Sequence, residues 1–266
     1  MKKLLSRTVK LYSKHLGAEI YIDIFLPPDF HAGKSYPLFL MNDGQDMAGM
    51  EMGRILNDIW RHDVCEHFVL AAVHSFYRLD TYGIIGNPDF NGRGKLAKKY
   101  SRFLITECIP FIRKELQIKK FTERIIGGFS LGGLSAFDIA WNNPKEFSKV
   151  MAASPSFWYR SKDLSANYTD NNRIMHRVVR ETKEKPTIQI WLQAGTLDET
   201  SDRNKNGIID SVDDMLDLVK ELKVKGFESG KDLFHYEVIG GKHTLETYGI
   251  IIPYFVNWAF KKKDQY

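Results

Sequence analysis

The stretch "RIIGGFSLGGLSAFDIAWNN", Arg124 to Asn143, places an apolar run, a glycine-rich turn and a helical segment in direct succession. An uninterrupted apolar run is typical of a strand that is buried on both faces of a sheet. The turn, Gly128 to Gly132, carries the pattern G-x-S-x-G, which presents a serine hydroxyl at the carboxyl end of a strand. The stretch therefore predicts a layered α/β fold, with Ser130 as a candidate nucleophile at the carboxyl edge of its sheet.

Short apolar segments alternate with segments of helical periodicity along the rest of the chain, which is typical of an α/β protein. The other strand candidates are "EIYIDIFL", "YPLFLM", "FVLAAV", "KVMAAS", "TIQIWLQA" and "FHYEVI". The first of these alternates polar and apolar residues like an antiparallel strand, whereas "FVLAAV" is apolar throughout. We predict a mixed, mostly parallel central sheet flanked by helices on both faces. No repeat or linker divides residues 1–266, so a single domain is expected.

Composition and charge exclude several classes of protein. The net charge of +5 arises from 38 basic and 33 acidic residues spread along the chain, and Lys261 to Lys263 form the concentrated basic run. This pattern is typical of a solvated tail and does not favour nucleic-acid binding. Cys65 and Cys108 are too few for a disulfide scaffold.

The amino-terminal segment "MKKLLSR" is similar to the basic region of a signal peptide, but Ser6 and Arg7 interrupt the apolar run that should follow. No apolar run in the sequence reaches about 20 residues, the length that spans a bilayer. We expect a cytoplasmic protein with no membrane or nucleic-acid partner, and the oligomeric state stays open.

A serine nucleophile needs a base and an orienting acid, which follow it in the order acid, histidine when the serine lies on a strand-to-helix turn. Of the eight histidines, His176, His235 and His243 follow Ser130. His176 lies on a helical stretch and His235 lies inside a predicted strand. His243 comes after that strand, in "GGKH", where two glycines allow an exposed loop. We predict His243 as the general base.

The acid is expected at the end of the preceding strand, where the chain continues Gly195-Thr196-Leu197-Asp198-Glu199. Asp198 is preferred, and Glu199 is the alternative, because only one of two adjacent side chains can face the histidine. The oxyanion of the intermediate needs backbone donors. The predicted donors are the N–H groups of Leu131, which follows the serine, and of Gln45, in the loop "NDGQD".

These residues resemble the esterase D and enterochelin-esterase-like branch of the α/β-hydrolases. The matching segments are "LFLMNDGQD", "KYSRFLITECIPFIRKEL", "IIGGFSLGGLSAFDIAWNNPKEFSKVMAASPSFWY", "LQAGTLDE" and "GGKHTLETYGIIIPYFVNWAF", in the order in which the family has them. The resemblance implies the α/β-hydrolase fold and a serine esterase that forms an acyl-enzyme without a catalytic cofactor. It supports Ser130, His243 and either Asp198 or Glu199. The loop "NDGQD" departs from the His-Gly-Gly form of many esterases and is similar to that of siderophore esterases and mycolyltransferases.

Loops at the carboxyl ends of the strands are expected to build the substrate pocket. Arg78, Arg160 and Lys242 would bring positive charge to its mouth, and Trp158 and Tyr159 would offer flat aromatic faces. A small-molecule ester that is anionic, aromatic or linked to a sugar would suit these side chains. In the alternative interpretation, the aromatic residues belong to the core and the cations to a solvated rim. The segment 78–95 forms either a flap over the site or a surface excursion.

Two other functions use the same residues. An acyltransferase would share the triad and exclude water from the acyl-enzyme. A non-catalytic calcium-dependent binding module would keep the scaffold and lack ester hydrolysis.

The stretch "DRNKNGIIDSVD", residues 202–213, is similar to a calcium-binding loop. The expected ligands at positions one, three, five, seven (a carbonyl), nine and twelve are Asp202, Asn204, Asn206, Ile208, Asp210 and Asp213. No entering helix precedes the loop, which argues against a paired calcium sensor. The alternative is an Asx-rich turn that caps a helix without metal. Because the loop begins four residues after Asp198, a bound calcium would support the turn that carries the acid.

Overall fold

The computed structural model describes residues 5–262. The basic start, Met1 to Leu4, and Lys263 of the terminal basic run lie outside the described residues. Eight strands form one sheet in the spatial order β1-β2-β4-β3-β5-β6-β7-β8. The strands are β1 (Leu5–Ser13), β2 (Ala18–Leu26), β3 (Tyr36–Asn42), β4 (Val69–Val73), β5 (Phe121–Phe129), β6 (Lys149–Ala153), β7 (Gln189–Leu197) and β8 (Leu233–Lys242).

The sheet is mixed and mostly parallel, which confirms the predicted fold class. Strands β3 to β8 are parallel to one another. Strand β2 pairs antiparallel with both β1 and β4. The strand β1 was not predicted from the sequence. Its side chains are mostly exposed, so no buried apolar pattern marks it. Its structure comes from backbone pairing with β2 at the edge of the sheet.

Helices cover both faces of the sheet. They are α1 (Met52–Arg61), α2 (Arg78–Thr81), α3 (Ala97–Phe103), α4 (Ile109–Glu115), α5 (Ser130–Asn142), α6 (Ile174–Glu181), α7 (Asp210–Val224) and α8 (Leu245–Ala259). The helices α1 and α8 pack on one face, around Phe39, Phe68 and Phe255. The helices α3 to α7 pack on the other face. None of the helices within residues 5–262 is long and apolar enough to cross a membrane.

The carboxyl ends of the parallel strands meet at one edge of the sheet. Three of these strands end at or next to candidate site segments. Strand β3 ends at Asn42, β5 ends at Phe129 immediately before Ser130, and β7 ends at Leu197 immediately before Asp198. The strand β8 ends at Lys242, so that His243 follows at the same edge. The parallel topology therefore brings together side chains that are far apart in the chain.

Candidate active site

Ser130 occupies a strained turn between β5 and α5. Its φ angle is +54°, in the left-handed region that non-glycine residues rarely adopt. A Cβ atom on Gly128 would lie 2.6 Å from the carbonyl group of Gly132. A Cβ atom on Gly132 would lie 2.5 Å from Oδ2 of Asp43. Both glycines are therefore needed for the close approach of strand, helix and the neighbouring loop that holds Ser130 in its strained conformation.

The two predicted oxyanion donors lie at the starts of neighbouring helical segments. Leu131 is the second residue of α5, and Gln45 lies in a short 3-10 turn, Gly44–Asp46, that follows β3. The first N–H groups of a helix have no partner within the helix and can bind an anion. Asn42 links the two segments, because its Nδ2 donates a hydrogen bond of 2.8 Å to the carbonyl of Gly132.

The side chain of Gln45 holds the loop that carries this N–H group. Its Nε2 donates to Oδ1 of Asp43 at 2.9 Å, and its Oε1 accepts from the N–H of Ser75 at 3.0 Å. Gln45 therefore bridges the ends of β3 and β4, and its side chain is not free for the substrate.

Asp198 and His243 lie side by side at the ends of β7 and β8. Nδ1 of His243 is 4.0 Å from Oδ1 of Asp198, and the side chain of Asp198 is only 1% exposed. Oδ2 of Asp198 accepts a hydrogen bond of 2.9 Å from the N–H of Gly195, which fixes one end of the carboxylate. A small rotation of the imidazole would bring Nδ1 of His243 from 4.0 Å to within hydrogen-bond distance of Oδ1 of Asp198.

The environment of His243 lowers its pKa. Burial is the largest cause, the positive charge of Arg78 adds to it, and the negative charge of Asp198 partly opposes it. A lowered pKa keeps more of the imidazole neutral at about pH 7, and the neutral form is the one that accepts a proton from serine.

An aromatic side chain of α8 joins the histidine to the serine turn. The ring of Tyr248 lies 5.6 Å from the imidazole of His243 and stacks on Phe129, with 4.3 Å between the ring centroids. Since Phe129 immediately precedes Ser130, a single ring separates His243 from the turn of the nucleophile.

Glu199 faces the start of α7. Its pKa is raised mainly by burial and also by the negative charge of Asp210, and its carboxylate accepts a hydrogen bond from the N–H of Ser211 at the start of α7. Of the two acids left open by the sequence, Asp198 is the one that the structure brings to His243. The fold thus separates two neighbouring side chains into different surroundings.

Arg78 lies beside the turn that carries Ser130 and forms an ion pair with a buried carboxylate. Its Nε is 3.0 Å from Oδ1 of Asp43, a carboxylate that is 1% exposed, and its Nη2 donates to the carbonyl of Phe129 at 3.4 Å. The guanidinium side chain remains 35% exposed. Asp43 therefore orients Arg78, and the exposed part of the guanidinium faces solvent at the site.

Ser156 is a site residue that the sequence reasoning missed. Its Oγ is 3.4 Å from Oγ of Ser130, and its N–H donates to the carbonyl of Ser130 at 3.1 Å. The available signal was its position just after β6, which is the parallel neighbour of β5. Ser156 thus binds the backbone of Ser130 and contacts its hydroxyl.

Trp158 and Arg160 belong to a cluster of cations and aromatic rings on the loop after β6. The guanidinium carbons of Arg93 and Arg160 lie 4.8 Å and 6.0 Å from the ring centroid of Trp158. Arg160 is also 5.3 Å from the ring of Phe90 and 5.9 Å from that of Tyr168. Within residues 5–262, Arg160 forms no salt bridge with a carboxylate, and its buried Nε has no hydrogen-bond partner.

Tyr159 is fully buried, which corrects the prediction that it offers a flat face to the substrate. Its hydroxyl donates to the carbonyl of Arg93 at 2.5 Å and accepts from the N–H of Asp89 at 3.0 Å. Burial raises its pKa to about 12. Tyr159 therefore anchors the segment 78–95 from beneath and does not line the pocket.

The segment 78–95 is tied down by two buried carboxylates. Asp89 binds the guanidinium of Arg93 at 2.6 Å, and Asp138 of α5 accepts from the N–H of Ile85 at 2.9 Å. Burial raises the pKa of Asp138 to about 7. Lys242, by contrast, is an exposed residue at the end of β8, next to His243.

The loop 202–213 folds back on its own side chains. The carboxylate of Asp202 accepts from the N–H groups of Asn206 and Gly207 at 3.1 Å and 2.9 Å. The Nδ2 atoms of Asn204 and Asn206 lie 2.7 Å and 3.3 Å from Oδ2 of Asp213. Four of the six predicted ligand positions therefore converge.

The remaining carboxylate, Asp210, differs from the prediction because it pairs with Arg203. Asp210 accepts a hydrogen bond from the N–H of Arg203 at 2.9 Å and also pairs with its guanidinium. The N–H of Ile208 donates to Oδ1 of Asn206 at 2.8 Å, so this amide oxygen is in use. Across the described part of the chain, no group of three or more His, Cys, Asp or Glu side chains is placed to hold a metal ion.

Comparisons with known proteins identify the family of the chain. The family described as "Putative esterase" matches residues 13–251. The uncharacterized protein YjcH of Bacillus subtilis is 22% identical over 226 residues, which cover 81% of this chain and 83% of YjcH. The ferri-bacillibactin esterase BesA of the same organism is 28% identical over 133 residues, which cover 50% of this chain and 43% of BesA.

A solved structure of a ferulic acid esterase superimposes with a TM-score of 0.72 at 17% identity, covering 98% of this chain and 99% of that one. This likeness shows that the two proteins share a fold. The family match extends over most of the 266 residues and includes Ser130 and His243. The chain therefore belongs to this esterase family and is a carboxylic ester hydrolase.

Proposed function

We propose that the protein hydrolyses carboxylic esters through an acyl-enzyme formed on Ser130, with His243 as general base and Asp198 as the orienting acid. The observation that carries this proposal is the convergence of three strand ends. A serine in a left-handed turn follows β5, and a buried carboxylate after β7 lies against a histidine after β8. Serine is a poor nucleophile by itself, and this arrangement is the one that activates it.

In the proposed first step, Ser130 Oγ attacks the ester carbonyl while His243 Nε2 takes the hydroxyl proton. The negative charge that develops on the carbonyl oxygen is stabilised by the N–H groups of Leu131 and Gln45. His243 then gives its proton to the departing alcohol, which leaves the acyl group on Ser130. Water, activated in the same way by His243, releases the acid and restores the serine. Asp198 orients His243 and stabilises the imidazolium that forms on it.

Arg160 and Trp158 support an ester with an anionic or aromatic group as the substrate. Arg160 forms no salt bridge within residues 5–262, although its charge helps to lower the pKa of Asp163, and three aromatic rings lie around its guanidinium group. A planar cation between aromatic faces suits a phenolate, a carboxylate or an aromatic ring. The names of two similar proteins contain ferulic acid and ferri-bacillibactin, which supports a proposal of this kind of ester. Arg78 and the exposed Lys242 add positive charge near the serine.

Replacing Arg160 should separate anionic or aromatic substrates from small neutral ones. We expect Arg160→Met to lower kcat/KM about tenfold for a catecholate trilactone or a feruloyl ester, which corresponds to about 1.4 kcal/mol of binding. Hydrolysis of p-nitrophenyl acetate, which has no such group on its acyl side, should be unchanged. Initial rates on the acetyl, feruloyl, S-formylglutathione and catecholate esters would measure both.

A matched control for this experiment is Arg61→Met, because Arg61 is an exposed arginine on α1. It removes the same charge far from Arg160 and should change none of the rates. An equal loss of activity on all four esters in Arg160→Met would contradict a binding function for Arg160.

We also propose that the loop 202–213 binds calcium as a structural ion, with no part in the chemistry. Asp202, Asn204, Asn206 and Asp213 already converge, and rotation of the two amide groups would turn their oxygens inward. The ion pair of Arg203 with Asp210 must open for position nine to contribute. Because Asp213 is shorter than the usual glutamate, we expect weak affinity for calcium.

We further propose that residues 1–266 form one domain and that the protein is cytoplasmic, as the sequence predicts.

Calcium should raise the melting temperature of the protein if the loop binds it. At millimolar calcium, about 100 times a dissociation constant near 10 µM, the expected stabilisation is about 2.7 kcal/mol. A domain of this size would then melt roughly 5 to 10 °C higher. Chelator should reverse the shift, and Asp202→Ala should abolish it, as measured by thermal unfolding. Asp163→Ala, which removes a carboxylate elsewhere, is the matched control. No shift at millimolar calcium would exclude the ion and leave the Asx-rich turn.

A further inference from the structure

Gln193 is a fully buried amide in the middle of β7, where an apolar residue would be expected. Its side chain is 0% exposed. Within residues 5–262, neither Oε1 nor Nε2 has a hydrogen-bond partner. Burying an amide without partners is unfavourable, so buried polar groups are nearly always paired with protein or with ordered water. Gln193 therefore needs a polar partner that lies close to β7.

The carboxylate of Asp198 lies on the same face of β7 as the side chain of Gln193. Side chains two residues apart on a strand point to the same face, so Gln193 shares its face with Gly195. A Cβ atom on Gly195 would lie 2.7 Å from Oδ1 of Asp198, which places that oxygen directly above Gly195. Oδ1 is also buried without a hydrogen-bond partner in the described protein. Two unpaired polar groups thus lie on the same face of β7.

Residues of three other strands and of α8 complete the surroundings of Gln193. Phe129, Ala153, Gln193 and Tyr236 lie in one row across β5, β6, β7 and β8. Tyr248 stacks on Phe129. Burial raises the pKa of the Tyr248 hydroxyl, and the negative charge of Asp198 raises it further.

The hydroxyl groups of Tyr248 and Tyr236 are buried and, within residues 5–262, keep hydrogen-bonding capacity to spare, as Gln193 and Asp198 Oδ1 do. The side chain of Ser154 lies close enough to the Tyr248 hydroxyl to lower its pKa, and a tyrosine hydroxyl that accepts from a serine can still donate. Four polar groups therefore share the layer between the sheet and α8. Such a set, with several convergent donors and acceptors, is what an ordered buried water requires.

We propose that Gln193 and Tyr248 hold an ordered water that donates a hydrogen bond to Oδ1 of Asp198, and that both are positioning residues for the triad. The water would also donate to Oε1 of Gln193 and accept from the Tyr248 hydroxyl. Oδ2 of Asp198 is already fixed by the N–H of Gly195, whereas Oδ1 is the oxygen that faces His243. A donor at Oδ1 fixes the orientation of the carboxylate and stabilises its charged form.

This inference rests on the proposed function, because it concerns the acid of the proposed triad. The charged and titratable groups that face His243 are Asp198 from the end of β7, Arg78 from α2 and Tyr248 from α8. A change at Gln193 should therefore alter the proton transfer by His243 and leave substrate binding intact.

The test is the variant Gln193→Met, which keeps the volume of the side chain and removes its hydrogen-bonding groups. We expect kcat on p-nitrophenyl acetate to fall about tenfold, the loss typical of a hydrogen bond to a charged group, with KM unchanged. The acid limb of the pH profile of kcat/KM should move. Tyr248→Phe should lower kcat similarly, and the double variant should lose little more than either single one, because both residues hold the same water.

Leu192→Met is the matched control, since Leu192 is an adjacent buried residue of β7 whose side chain belongs to the core on the other face. It should leave kcat and the pH profile unchanged. A crystal structure of the unmodified protein should show a water within hydrogen-bond distance of Oδ1 of Asp198 and Oε1 of Gln193, which provides a readout even if a variant folds poorly.

An unchanged kcat and pH profile in Gln193→Met, together with a higher melting temperature, would overturn the inference, because the amide would then be merely unpaired. Fully additive losses in the double variant would also overturn it. These outcomes differ from a failure of the proposed function, which would appear as ester hydrolysis that persists in Ser130→Ala.

Discussion

Ester hydrolysis should be lost in Ser130→Ala, with an expected fall in kcat of roughly 10⁵- to 10⁶-fold for a triad nucleophile. The hydroxyl is the only group that this variant removes, and the proposed acyl-enzyme cannot form without it. Pre-steady-state mixing with p-nitrophenyl acetate should show a burst of p-nitrophenol in the unmodified protein and none in the variant. An added alcohol that accelerates turnover and receives the acyl group would identify an acyltransferase instead of a hydrolase.

Ser135→Ala is the matched control for this experiment. Ser135 lies further along the same helix, is buried, and has an Oγ without a hydrogen-bond partner in the described protein. Its replacement should leave both the burst and kcat unchanged. A non-catalytic binding module predicts no ester hydrolysis that depends on Ser130, and hydrolysis that survives in Ser130→Ala would disprove the proposed mechanism.

Asp198→Asn and Glu199→Gln should differ in activity by several orders of magnitude, although the two residues are adjacent. The amide introduced by Asp198→Asn would favour the wrong imidazole tautomer and would not stabilise the imidazolium, so we expect kcat to fall about 10⁴-fold. Glu199 faces Ser211 and Asp210, and glutamine retains the acceptor for the N–H of Ser211. We therefore expect kcat/KM of Glu199→Gln to stay within about twofold of the unmodified protein, the range typical of substitutions outside a catalytic site.

Stability provides a second difference between these two variants. The raised pKa of Glu199 shows that the fold disfavours its charged form, so that neutral glutamine should not lower the melting temperature at about pH 7. Asp198→Asn places an amide opposite His243 and is expected to keep the fold, which circular dichroism and thermal unfolding would verify. The reverse order of activities would assign the acid to Glu199 and would require a rearranged loop after β7.

The sequence was sufficient for the fold class because its evidence is local. The run from Arg124 to Asn143 contains the strand, the turn and the helix. Gly128 and Gly132 in this run allow strand, helix and neighbouring loop to approach closely. The buried strands were readable from their apolar runs. The strand β1 was not, since an exposed edge strand needs only backbone pairing and carries no apolar pattern.

For the candidate site, the sequence indicated which residues could take part, and the tertiary structure determined how those residues are arranged. The pattern around Ser130 and the position of His243 follow from spacing along the chain. Which of Asp198 and Glu199 faces the histidine depends on how β7 meets β8 and α7, which no local pattern contains. The burial of Tyr159 likewise depends on the segment 78–95 packing above it.

The sequence by itself thus determined the layered fold, the nucleophile turn and a small set of candidate partners, because strand, turn and helix preferences are fixed by neighbouring residues. Only the tertiary structure showed Ser156 beside Ser130 and the pairing of Arg78 with Asp43. These contacts join residues from different strands and loops. Their distances, burial and charges exist only once the sheet and both helical layers have assembled.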